Sequence, residues 1–122
     1  MSHIVTIETQ VRDRAAVAAA CRRLGLTEPV MGTARLFEGE ATGLLVKLPG
    51  WLYPIVIDTS VASIRFDNFG GSWGAAEQLD HFLQAYGVAR ATIEARKKGL
   101  SVAEQTLADG SVLVTIGVGG AL

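Results

Sequence analysis

Two histidines, one cysteine and one glycine-rich loop are the places where this sequence could do chemistry. His3 stands at the lip of a predicted strand with no second histidine near it in sequence. His81 follows Asp80 on the flank of a predicted helix. A structural or catalytic metal needs several ligands at set spacings, and neither His-x₃-His nor His-Glu-x-x-His occurs. Both histidines therefore read as ordinary, partly exposed side chains, and no metal or other cofactor is expected. Cys21 falls in the middle of an alanine-rich helical stretch. A reactive thiolate needs an electropositive setting such as a helix N-terminus, so Cys21 reads as core packing. Gly71-Ser72-Trp73-Gly74 comes near the Gly-x-Ser-x-Gly nucleophile elbow, but its spacing is wrong. No catalytic residue is assigned on these grounds, and whether the chain is an enzyme stays open, a non-enzyme being the favoured reading.

The loop Asn68-Phe69-Gly70-Gly71-Ser72-Trp73-Gly74 precedes the longest predicted helix. A helix N-terminus offers free N–H groups to an anion, and glycine lets a phosphate approach. Neither the Gly-Lys-Ser/Thr nor the Gly-x-Gly-x-x-Gly phosphate fingerprint is met. The plainer reading is a tight strand-to-helix turn with Ser72 as N-cap. As a ligand site, the loop would combine Gly70, Gly71, Ser72 and Trp73 with His3 and Arg65. Trp51 and Tyr53 flank the Pro49-Gly50 turn, while Phe66, Phe69 and Trp73 surround the loop. Exposed aromatics make strong protein contacts. Burial is expected for Phe66 and Trp73, and an exposed interaction surface for Trp51 with Tyr53. The aromatics lack interleaved Lys or Arg, so a base-stacking platform for nucleic acid is not expected. Arg96-Lys97-Lys98 reads as a solvated helix end.

These residues must be held by one small fold. The chain has 122 residues, which suits a single domain over 1–122. Hydrophobic residues make up 49% and charged residues 19%, so there is ample apolar surface to offset chain entropy. Eleven basic residues face twelve acidic ones, without the broad basic footprint of a nucleic-acid binder. Mean hydropathy is high at +0.33. No apolar run approaches the roughly 20 residues of a membrane span, and no secretory leader is expected at the start of the chain. The surplus hydrophobicity points to a homo-oligomer or protein-partner interface. A single cysteine excludes an intrachain disulfide and suits a reducing compartment.

Alternation and β-branched residues predict a first strand at 3–11. Asp13 is placed to cap a helix running to Leu24, with Val17, Ala20, Cys21 and Leu24 on its apolar face and Gly25 as its C-cap. Strands are predicted at 33–37, 42–48, 53–58 and 63–67, with Pro54 at a strand start or an edge. The long helix is predicted over 75–98, with Leu79, Phe82, Leu83, Tyr86, Ala89 and Ile93 as its stripe and Gly99 as its cap. A hairpin of 100–105 and 111–118 turns at Asp109-Gly110. The order β-α-β-β-β-β-α-β-β predicts an α+β two-layer sandwich, with two helices on one face of a mainly antiparallel sheet. An elaborated ferredoxin-like plan fits that order.

Met1-Ser2-His3, Thr6-Ile7-Glu8-Thr9-Gln10-Val11-Arg12-Asp13, Asp67-Asn68, Gly71-x-Trp73-Gly74 and Phe82-Leu83-Gln84-Ala85-Tyr86 form a recognisable set. Ile93-Glu94-Ala95-Arg96-Lys97-Lys98-Gly99, Val102-Ala103-Glu104-Gln105 and Asp109-Gly110-Ser111 extend it. Together they resemble the hypothetical chloroplast reading frame thirty-five family of plastids, cyanobacteria and other bacteria. The segment 29–63 resembles the bacterial relatives rather than the plastid ones. The resemblance implies a protein of the bacterial cytoplasm or plastid stroma. The family has no established activity, so no site residue carries over. Two functions are expected to compete: a non-enzymatic interaction module or accessory subunit, and a small-ligand or anion-binding protein, possibly an enzyme, built on the glycine loop.

Overall fold

The computed structural model describes residues 4–118. Its elements are β1 (Val5–Glu8), α1 (Arg14–Arg23), β2 (Val30–Leu36), β3 (Gly39–Val46), β4 (Ile55–Asp58), β5 (Ser63–Phe66), α2 (Ala76–Lys97), β6 (Ser101–Thr106) and β7 (Val112–Gly117). A single 3₁₀ turn, Phe69–Gly71, precedes α2. The α+β class, the two helices and the element order agree with the expectation. No helix among the described residues is long and apolar enough to cross a membrane.

Local chemistry sets the helix ends. The Asp13 carboxylate accepts from the N–H groups of Ala15 and Ala16, satisfying two donors that the first helical turn leaves free. At the other end Gly25 takes φ +70°, and the N–H of Leu26 donates to the Cys21 carbonyl at 2.8 Å. The same arrangement closes α2, with Gly99 at φ +71° and the Leu100 N–H donating to Ala95. Ser72 does not cap α2. It sits in helical φ/ψ as the end of the 3₁₀ turn, whereas an N-cap must be extended. Ala75 is the extended residue that stands at the N-cap, and its side chain has nothing to donate or accept.

Five strands form one antiparallel sheet in the order β1-β5-β4-β3-β2. Strands β2 to β5 are a meander, and β1 joins its far edge against β5, Ile7 opposite Ile64. The unit β1-α1-β2 is thus a split crossover with three strands admitted between its two ends. This departs from the ferredoxin-like plan, because β6 and β7 do not return to the sheet. They pair only with each other, as a separate ribbon. Strand β2 also begins at Val30, so Gly32 lies inside it rather than in a loop.

The period of two along the strands sorts the side chains. Leu44, Val46, Ile55, Ile57, Ile64 and Phe66 face the helices and meet Ala16, Val17, Ala20, Cys21, Leu79, Phe82 and Ala89 in the main core. Leu24, assigned to this face from the sequence, is exposed because α1 ends before it. Ala34, Leu36, Ala41 and Val56 form a smaller cluster on the opposite face with Ile4, Leu45 and Tyr53. A Cβ on Gly39 would lie 3.6 Å from Ile4 Cδ1, so the sheet curls until the start of β1 approaches the β2–β3 turn.

Candidate functional site

The loop 67–74 is built from its own backbone. The Asn68 carbonyl accepts from the N–H groups of Gly71 (3.0 Å) and Trp73 (2.9 Å), and Phe69 O accepts from Ser72 N at 3.1 Å. Gly74 N donates to Gly71 O at 3.4 Å, while the Asn68 side-chain amide donates to Gly74 O at 3.1 Å. Asp67, only 1% exposed, accepts from the Phe69 N–H at 3.3 Å. An anion at this loop would find those donors engaged. Gly70 and Gly71 serve the turn, with φ of +62° and +104°.

Phe69 also adopts positive φ, +47°. For a bulky residue this conformation is a genuine outlier, costing on the order of 1–3 kcal/mol. Its ring stacks on Trp73, centroids 4.7 Å apart and planes 21° apart. Phe37 from the β2–β3 turn meets Trp73 at 5.3 Å, and Tyr53 meets it edge-on at 5.8 Å. Leu52 is tied alongside by its N–H, which donates to Trp73 O at 2.8 Å. Trp73 is partly buried at the hub, rather than fully buried as expected. Around it Phe37 is 57% exposed, Leu52 58% and Phe69 40%.

Trp51 is corrected outright. It is 4% exposed, packs edge-on against Phe66 at 5.5 Å, and donates its indole N–H to Ala75 O at 2.9 Å. The chain returns from the Pro49-Gly50 turn toward the start of α2, which carries the ring inward. Tyr53 is partly buried at the margin of the aromatic cluster, and Phe66 is buried as expected. Arg65 is exposed on β5, paired in register with Val56 and Thr6 on the face away from the helices. Asp58 lies below the ordinary carboxylate range through hydrogen bonds from Ser60, with a smaller contribution from the charge of Arg65. His3 lies outside the described residues. Phe37 and Leu52 escaped the sequence reading, since one resembled a strand end and the other a turn neighbour.

The remaining candidates do not converge on chemistry. Cys21 is buried, and burial pushes its thiol pKa up. Among the described residues no group of three or more His, Cys, Asp or Glu could hold a metal ion. A groove of about 740 Å³ runs between β1 and α2 past Ile7, Leu83 and Tyr86. The Tyr86 hydroxyl there accepts from the N–H groups of Arg12 and Asp13, both at 3.1 Å, and so anchors the β1–α1 link. Comparison of the chain with protein-family models, curated proteins and solved structures returned no match.

Proposed function

We propose that this chain is a non-enzymatic interaction module, an accessory subunit that docks another protein through the aromatic cluster around Trp73. The observation that carries the reading is the exposure of Phe37, Leu52 and Phe69 around one shared hub. Rings held by other rings lose little conformational freedom on binding, which is why aromatic residues dominate interface energetics. The ring stacked on Trp73 belongs to a residue with a strained backbone, and strain of this kind concentrates at functional positions. Membership of the hypothetical chloroplast reading frame thirty-five family, and residence in a cytoplasmic or stromal compartment, belong to the same proposal. The rival reading, a ligand held by Gly70, Gly71, Ser72 and Trp73, draws little support from a loop in which the N–H groups of Phe69, Gly71, Ser72, Trp73 and Gly74 already bond within it.

The double variant Phe37→Ser, Phe69→Ser tests the proposal. Both residues lie at the surface, 57% and 40% exposed, so the variant is expected to unfold within a few degrees of the parent. It should lose the partner that the parent captures by cross-linking in a lysate of the source organism, or the self-association that the parent displays in sedimentation. A parent protein that is strictly monomeric and captures nothing, or capture that the variant leaves intact, overturns the reading.

A further inference from the structure

We propose that the cleft between the C-terminal halves of α1 and α2 binds a small multivalent oxyanion, a phosphorylated or polycarboxylate metabolite. The cleft, about 560 Å³, is walled by Arg22 and Arg23 of α1 and by Arg96 of α2, with Thr92 and the small side chains of Ala19 and Ala89 between them. Cations near helix C-termini are ordinary, because they complement the helix dipole. That effect places each arginine in its own last turn. It does not by itself place three arginines along the lining of one hollow.

The local acids leave this charge incompletely matched. Arg23 donates to Glu104 at 2.7 Å, which occupies one guanidinium edge. Arg22 reaches Glu28 at 3.5 Å, with both side chains nearly two-thirds exposed (63% and 64%), and such a surface pair is readily exchanged. Arg96 has no carboxylate within 4.0 Å among the described residues. Glu104 itself indicates what the rim favours. Its carboxyl lies below the ordinary range through the Arg23 hydrogen bond, with the charge of Arg96 adding to it.

Thr92 supplies an independent observation. A threonine inside a helix commonly bonds back to the carbonyl one turn earlier. Its hydroxyl has no hydrogen-bond partner but is closed to solvent, so a ligand in the cleft meets it only after the side chain turns. Two arginine side chains, Arg22 and Arg96, therefore line one hollow with an unused hydroxyl enclosed beside it. Guanidinium forks match the planar or tetrahedral oxygens of carboxylate and phosphate. The cleft has no aromatic wall, which excludes base stacking and favours a compact anion.

The test is an amide-resolved NMR titration of the full chain with sodium pyrophosphate and, separately, with citrate. Each is compared with sodium chloride at equal ionic strength. Saturable shifts are expected at Ala19, Thr92, Ile93 and Arg96, together with a rise in Tm that follows ligand concentration. Arg96→Gln should weaken binding about tenfold, the loss typical of one charge-assisted hydrogen bond. Arg96→Lys should recover part of it, and Thr92→Val should weaken it less. A response to pyrophosphate alone assigns a phosphorylated ligand, and one to citrate alone a polycarboxylate. Shifts no larger than those in chloride, shifts elsewhere on the protein, or affinity unchanged in a folded Arg96→Gln variant would overturn the proposal.

Discussion

At Gly74 a single methyl group would be felt across the site. A Cβ there would come within 2.6 Å of ring atoms of Trp51, and its backbone is not in the left-handed region, so space alone demands glycine. Gly74→Ala is expected to push the Trp51 ring off its hydrogen bond to Ala75 and to cost about 1–3 kcal/mol in urea unfolding. Gly71→Ala meets nothing within 4 Å and should cost less, about 1 kcal/mol, through its positive φ. Equal losses at the two positions would remove the steric explanation. Glu104 offers a charge counterpart. Its pKa is lower folded than unfolded, so its contribution to stability is complete above the unfolded value. That contribution is lost as pH falls through the folded one. Arg23→Gln should raise the Glu104 midpoint toward the ordinary carboxylate range, read by carboxyl carbon NMR, and flatten the acid limb of the stability curve. An unmoved midpoint would show that the ion pair does not set it.

Element by element, α2 shows why a single apolar stripe was too simple. Leu79, Phe82, Tyr86 and Ala89 face the sheet as the 3.6-residue period requires, but Ala85, Val88 and Ala95 are buried as well. The β6–β7 ribbon leans on that second strip, held by Gln84 Nε2 donating to Gly110 O at 3.2 Å and by the Arg23–Glu104 pair. A two-stranded ribbon is marginal in water without such support, and most of its residues are partly or fully exposed. Amide hydrogens of β6 and β7 should therefore exchange faster than those of β3 and β4, opening with a smaller free energy than global unfolding. Equal protection in ribbon and sheet would mean that both open as one unit. For α1 the expectation is sharper: Asp13→Ala should cost about 1 kcal/mol and Asp13→Asn much less, since the cap needs a side-chain oxygen rather than a charge.

For the molecule as a whole, the two tryptophans report different regions of one structure. Trp51 lies in the main core between sheet and helices, and Trp73 sits in the exposed aromatic cluster. The Trp73→Phe variant should emit at short wavelength and resist iodide, whereas Trp51→Phe should be quenched readily. The main core joins both helices to strands from both halves of the chain, so both reporters are expected to lose native emission at the same urea concentration. Separate midpoints would divide the structure into two cooperative units. The high mean hydropathy also resolves at this scale. Part of it is alanine packed between helices, part is the second cluster on the far face of the sheet, and part is exposed on Phe37, Leu52 and Phe69.

Much of the secondary structure was legible in the residues because its determinants are local. A carboxylate at Asp13, glycines at Gly25 and Gly99 and the Asp109-Gly110 turn act on groups only a few positions away, so spacing alone locates them. Tertiary structure decided the rest. Strand order depends on partners such as Ile7 and Ile64, whose pairing no local signal encodes. Which tryptophan is the more exposed depended on where the 49–54 turn returns relative to the start of α2: the sequence pointed to Trp51, whereas Trp51 is buried and Trp73 only partly so. The arginine cleft likewise exists only where two helices separated by four strands and their loops come side by side. Capping and turn formation are settled within one turn of chain, whereas exposure and convergence are set by what the fold lays opposite each residue.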